Sequence, residues 1–469
     1  MSKITASSKS LYSHIRSALR GEEHDYTAGS INKAIFLLAV PMIAEMVMES
    51  TFALVDMIFV SRLGVEAVAV VGLTEPVMMI IYSMAMGLGM AITAIVARRI
   101  GEKDPKQASD AAFQAIVIAV LLAIPLGFLG YAYSGNILRF MGATESVISQ
   151  GSGFTQVMFA GNLSIFLLFL INAIFRGAGN PAIAMRSLFL SNGLNIILDP
   201  IFIFGLGPIP AMGVEGAAIA TVIGRSCGVL YQLYHLLDGS GIIHLTKENV
   251  VMRFQTVREI LVVAASGAGQ FLIESASWIF LAQVIARFGE TAVAGYTLAF
   301  RVIVFTLLPS FGIANAAATL VGQNLGAKQP ERAETSVWKA ALYNTFFLFG
   351  VSVVFFVFAD PILRLLFNAK EAELVVGRSA LQIICLGYIF FSYGMVIGQA
   401  FNGAGDTFTP MMISLVVFWG IQIPLAYGLA IYLDWKSNGV FASIAICHSL
   451  YAIAAIKLFK RGKWKLTKV

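Results

Sequence analysis

Twelve stretches of the chain stay largely apolar for about 20 residues or more, the length that crosses a hydrocarbon core. They lie near residues 35–60, 68–97, 111–134, 152–175, 182–206, 214–237, 257–286, 292–321, 337–359, 377–401, 408–433 and 439–459. The pattern predicts an all-α integral membrane protein of twelve transmembrane helices. Residues 35–237 hold the first six and residues 257–459 the second six. Between them, 238–256 is polar and reads as a linker. Residues 1–34 form a polar N-terminal segment, and 460–469 a basic tail. The first 30 residues contain no apolar core followed by a small-residue cleavage site, so the first apolar run is expected to remain as a membrane helix.

Composition agrees with this reading. The chain has 469 residues, 58% hydrophobic and only 12% charged, about half the charged share of a soluble domain. Mean hydropathy is +0.81. These values exclude a soluble enzyme, a disordered chain and a disulfide scaffold. Of the 32 Lys and Arg residues, 22 fall on the side that holds both ends, 7 on the other side, and 3 (Arg186, Arg225, Arg301) inside spans. The asymmetry places both termini in the cytoplasm. It also accounts for the net charge of +6 without a nucleic-acid partner, which would require a basic face on a soluble fold. Cys227, Cys385 and Cys447 have no CxxC spacing, and the five histidines form no HExxH or HxxxH. No metal centre or cofactor site is visible.

The two halves repeat each other at a shift of 225 residues. Glu49-Ser50 matches Glu274-Ser275, Arg62 and Gly64 match Arg287 and Gly289, and Gly87 matches Gly312. Gly101, Lys103, Pro105 and Ala108 match Gly326, Lys328, Pro330 and Ala333. The register then slips by one, so that Phe175-Arg176-Gly177-Ala178-Gly179-Asn180 matches Phe401-Asn402-Gly403-Ala404-Gly405-Asp406. Six spans per half make this a parallel repeat about an axis along the membrane normal, the architecture of rocking transporters with a path between the lobes. The GAG turns lack the Lys-Ser/Thr of a phosphate loop and read as tight helix–helix turns.

Carboxylates at membrane depth cost at least about 2.5 kcal/mol each on insertion scales. In the first span, Glu45, Glu49, Phe52 and Asp56 share one helical face, which must point inward. Pro41 removes a backbone hydrogen bond there and can bend the helix. In the fifth span, Asn195 and Asp199 stand four residues apart and Pro200 follows. A carboxylate, an amide oxygen and a freed carbonyl suit a sodium or a proton site. Structural pairing of Asp56 and Asp199 with Arg186 or Arg225 is the other reading. Glu45, near the helix start, reads as interfacial. Gln270, Glu274 and Trp278 share a face of the seventh span, where Glu274 either serves transport or pairs with Arg301. Glu75 reads as a non-cytoplasmic end residue and His448 as packed. Met57, Phe52 and the other Met and Phe residues of the first two spans suit a pliable surface for apolar cations.

The stretch Leu54-Val55-Asp56-Met57-Ile58-Phe59-Val60 with Arg62-Leu63-Gly64, and the Phe175–Pro181 turn with its weaker copy at 401–406, resemble the multidrug and toxic compound extrusion family. The resemblance covers nearly the whole chain and is nearer the DinF-like branch. That branch carries one Asp in helix 1, one Asn in helix 4 and Asn-x-x-x-Asp in helix 5, which Asp56, Asn172, Asn195 and Asp199 match; Pro41 matches its bending proline. The resemblance implies a monomeric multi-pass protein of the bacterial inner membrane. It would export amphiphilic organic cations or other drugs by antiport with H+ or Na+ bound at those four residues, through alternating access. It implies no enzymatic cofactor. Glu49, Glu274, Gln270, Met57 and Phe52 would take part in substrate binding or coupling. The NorM-like branch adds a C-lobe Glu, matched by Glu274, and a helix 10 Asp, where this chain has Phe391. A flippase for lipid-linked oligosaccharides has related architecture but needs a cationic central cavity, and three intramembrane arginines are too few to make one.

Overall fold

The structure is a computed structural model describing residues 13–22, 24–239, 241–367 and 370–469. The first twelve residues of the expected N-terminal segment, and residues 23 and 240, lie outside the described residues. The helices are α1 Ile31–Ser61, α2 Val65–Gly101, α3 Pro105–Ala132, α4 (Glu145–Ala160 and Asn162–Ala178), α5 Pro181–Phe204 and α6 Gly213–Leu237 in the first lobe. The second lobe has α7 Phe254–Ala286, α8 Glu290–Gly326, α9 Pro330–Phe367, α10 (Glu371–Cys385 and Tyr388–Gly403), α11 Phe408–Tyr432 and α12 Lys436–Lys460. Every apolar stretch becomes a helix, and among the described residues ten helices are long and apolar enough to cross a membrane, or twelve when each bent pair counts as one span.

Two expected straight spans are broken. α4 bends by 41° at Gly161 and α10 by 59° near Gly387, and these glycines match at the shift of 226. Each faces a neighbouring helix closely: a Cβ on Gly161 would strike Val222, and one on Gly387 would lie 3.0 Å from Ala445 O. The first arm of each pair is too polar for a hydropathy reading, which therefore began six or seven residues late. α11 winds in wider π-type turns over Leu415–Gln422 and Gly428–Tyr432. Pro424 supplies no N–H there, and wider turns re-route the freed carbonyls.

The lobes meet through repeated close approaches. A Cβ on Gly87 in α2 would lie 2.6 Å from Ala268 N in α7, and one on Gly312 in α8 would lie 2.7 Å from Ile43 N in α1. All four are repeat mates in pairs, so the two crossings are one contact used twice. Gly101 against Gln323 and Gly326 against Arg98 likewise leave no room for a side chain. Small residues let backbones approach where lipid offers no hydrophobic drive. The early part of α1, Ala34 to Met42, packs in the core of the second lobe. Ile260, Val263 and Ala264 of α7 pack in the core of the first.

Residues 19–29 and 464–467 strap this face. Arg332 donates to the carbonyls of Tyr26 (3.2 Å), Ala28 (2.9 Å) and Gly29 (3.0 Å). Lys103 pairs with Asp25 at 2.8 Å, which with Thr27 holds the Asp25 carboxyl down at about 2. Arg186 donates to Leu19 O at 2.7 Å, so it ties down the N-terminal segment and is no partner for the buried carboxylates. At the other end, Trp464 is fully buried and stacks on Phe459. Lys465 reaches Glu331 and Glu334, and Arg98 donates to Thr467 O at 2.8 Å. In the linker, Asn249 and Arg253 both bind Asp110 of α3. Gly179 and Gly405 take φ of 88° and 86°, so the GAG stretches are the expected tight turns.

Candidate functional site

α1 runs unbroken through Pro41 and carries its carboxylates inward. Glu45 is only 1% exposed, so the interfacial reading of this residue is wrong. Its Oε1 accepts from Arg176 Nη1 at 2.7 Å and from Asn172 Nδ2 at 3.3 Å, both in α4. Gln232 of α6 donates to Asn172 Oδ1. One turn along α1, Glu49 accepts from Asn192 Nδ2 of α5 at 3.0 Å. A face that looked interfacial at one end is thus a continuous inward ladder, because α4 supplies a guanidinium opposite it.

Further along, Asn195 Nδ2 donates to Asp199 Oδ1 at 3.3 Å and to Thr221 Oγ1 at 3.1 Å. Asp199 is fully buried. Asp199 Oδ2 and Asn195 Oδ1 are both buried without a donor. Asp56 stands within electrostatic reach of Asp199, Glu75 and Arg225. Arg225 of α6 spends its hydrogen bond on Tyr82 Oη (3.0 Å) and lies over the rings of Tyr82 and Phe52, so it does not bridge to either Asp. Of the four expected ion residues, three gather here. Asn172 instead joins the Glu45–Arg176 pair. Among the described residues no three His, Cys, Asp or Glu converge as a metal centre. A cation among these side chains would meet one or two carboxylates with amide and hydroxyl oxygens, a set suited to a proton or a hard monovalent ion.

The second lobe is built otherwise. Glu274 Oε1 accepts from Ser414 Oγ at 2.9 Å and Gln270 Nε2 at 3.4 Å. It makes no ion pair with Arg301, which is exposed on α8. Two cavities of ≈ 170 Å³ and ≈ 60 Å³ open on Glu274, walled by Trp278, Phe300, Phe391, Phe418, His448 and Tyr451. His448 packs among Phe391, Phe418 and Trp278 with ring centroids 4.5, 4.9 and 6.0 Å away, as its packed reading required. A carboxylate ringed by aromatic faces is an environment for an organic cation. Phe391 adds one more ring to these walls.

Between the lobes lies a third cavity of ≈ 200 Å³, with Met46, Met86, Met90 and Phe271 among its walls and Arg176, Gln270, Glu274 and Asn402 as polar members. Gln270 and Glu274 both line it. Phe52 and Met57 are not among its walls; Phe52 packs under Arg225. Sequence reasoning missed Arg176, which it counted as a connection charge, and also Asn192 and Gln232. The available signal was that Asn172 and Arg176 sit four residues apart, on one face of α4.

The comparisons follow this geometry. The MatE family model matches residues 41–201 and again residues 268–428, once in each lobe. A relative from Thermotoga maritima, "Probable multidrug resistance protein NorM", is 26% identical over 93% of this chain and 93% of its own. "Probable multidrug resistance protein YoeA" of Bacillus subtilis is 26% identical over 94% and 96%. A crystal structure of a MATE protein in complex with MaL6 superposes with a TM-score of 0.89 at 28% identity, over 94% of this chain and 99% of that one. Proteins of this kind are transporters and not enzymes. Matched in both halves, over more than half of its length, the chain belongs to the MATE family of multi-pass membrane transporters.

Proposed function

We propose that this chain is a secondary antiporter of the DinF-like kind in the bacterial inner membrane, with both termini cytoplasmic. It exports amphiphilic drugs bearing a cationic group while H+ or Na+ enters. The observation that carries this reading is the pair of buried, donorless oxygens, Asp199 Oδ2 and Asn195 Oδ1, within reach of the Asp56 charge. A buried carboxylate without a counter-charge is costly unless something neutralises it, and a transported ion does so.

In the cycle, lobes sealed at the face of the termini correspond to an outward-facing state. An ion entering from outside neutralises Asp56 and Asp199. Loss of their mutual repulsion lets α5 and α1 repack, with Pro41 as the point where α1 bends. The cavity walls formed by α1 and α2 then move against the drug held at Glu274. Ion and drug compete only through their different affinities for the two arrangements, which is all that coupling requires. The Glu274 cage suits a cation and gives a pyrophosphate headgroup nothing to bind, which sets the flippase reading aside.

The test uses purified protein in liposomes loaded with a fluorescent organic cation. A pH gradient and a sodium gradient are imposed in separate runs, and dye release is followed. Release under one gradient identifies the coupling ion. No release under either, with folded protein and bound dye, contradicts antiport.

A further inference from the structure

Arg176 is a charge that the antiport cycle above does not use. Its Nη1 is bound to Glu45 at 2.7 Å. Its side chain is 13% exposed, against 1% for the carboxylate that holds it. The more accessible member of this ion pair is therefore Arg176, and it lines the central cavity. Glu274 faces the same cavity and has only a hydroxyl and an amide as partners. The cavity thus presents one accessible positive group from the first lobe and one uncompensated negative group from the second.

The repeat fixes their relative depth. Ile43 and Ala268 are matched contact points at the two helix crossings. Glu45, which holds Arg176, lies two residues beyond Ile43, and Glu274 lies six beyond Ala268. Four residues of difference correspond to about 6 Å along the membrane normal at 1.5 Å per residue. The apolar members of the cavity wall include Met46, Met86, Met90 and Phe271.

We infer that the preferred substrate is zwitterionic, an apolar body with its cationic group at Glu274 and an anionic group at Arg176. This rests on the efflux reading of the cavity and narrows its substrate class. A plain cation of the same size fills the cavity and strips water from the Arg176 edge without replacing it, which is unfavourable for a charged donor. A carboxylate on the substrate replaces that water with a charge-assisted hydrogen bond.

The probes are rhodamine 110, with a free carboxylate on a cationic ring system, and its methyl ester rhodamine 123. Binding to the purified full chain is read by fluorescence anisotropy. The acid is expected to bind at least about tenfold more tightly than the ester, the factor one hydrogen bond to a charge supplies. The double variant Glu45→Gln/Arg176→Gln removes both buried charges together, leaving neither unpaired, and the ratio should fall to about one. Arg176→Lys keeps the charge and should keep the preference. Equal binding of the two dyes by the unaltered protein, or a ratio that survives the double variant, overturns the inference. Gradient-driven release of rhodamine 123 reports on the efflux reading separately: release with a binding ratio of one defeats the zwitterion inference alone.

Discussion

The two lobes share one scaffold, yet their interiors have parted. Asp56 of the first lobe corresponds to Leu281 of the second, and Asn172 to Gly398. Asp199 is matched by Leu425, at the shift of 226. The Glu45–Arg176 ion pair corresponds to Gln270 and Asn402, two amides whose buried oxygens have no donor. Pro41 corresponds to Ser266. Only Glu49 and Glu274 remain alike in type, and even they differ in company: an asparagine beside the first, aromatic rings around the second. What both lobes retain is backbone geometry. Lys103 and Lys328 have φ of 63° and 59°, Gly64 and Gly289 have 102° and 94°, and the crossing glycines are paired. The comparison teaches that the repeat preserves how helices meet, while the groups inside each lobe answer to separate tasks. Under the proposed function, the first lobe would hold the small hard ion and the second the cationic group of the cargo.

The largest expected effect comes from removing the first lobe's charges. Asp56→Asn or Asp199→Asn should lower gradient-driven dye release in liposomes by at least about 100-fold, in line with a lost driving ion, while dye binding persists. Unaltered release by either variant breaks the division of labour. Next comes Glu274→Gln, for which dye affinity should fall about tenfold, one charge–cation contact. Release at saturating dye should still respond to the gradient, as a KM against kcat split would show.

A smaller effect separates the lobes by stability. Glu45→Gln alone leaves Arg176 buried without its partner and should destabilise the fold by about 3 kcal/mol, seen as a lowered Tm. The double variant Glu45→Gln/Arg176→Gln, which copies the amide arrangement of the second lobe, should recover most of that. The smallest concerns the strap across the seam. The Asp25 carboxyl is depressed below its usual range, so its pair with Lys103 contributes stability that is present above pH 4 and lost as pH falls through about 2. Both groups are well exposed, and Asp25→Asn should cost less than about 1 kcal/mol at pH 7 and nothing measurable well below pH 2.

Most of the fold could be read from hydropathy, because lipid demands long apolar helices and loop charges mark the sides. The breaks at Gly161 and Gly387 could not, since a bend there depends on what Val222 and Ala445 place opposite a glycine. Asn195 and Asp199 were legible from their four-residue spacing on one helix. Asn172 was assigned to the wrong neighbours: its bonds run to α1 and α6, and spacing within α4 carries no information about either. Arg176 was hidden for a related reason. A basic residue at a helix end reads as a topology signal until the opposing carboxylate, 131 residues away in sequence, is placed beside it.

The proposed function has the first lobe bind the driving ion and the second hold the cationic group of the cargo. Its most direct test is ion binding by the purified protein without cargo, measured as proton release on sodium addition or as proton uptake on a pH step. The unaltered chain and Glu274→Gln should take up the same number of ions, and Asp199→Asn should take up fewer. Equal uptake by Asp199→Asn with a deficit in Glu274→Gln would place the ion in the second lobe and contradict the account.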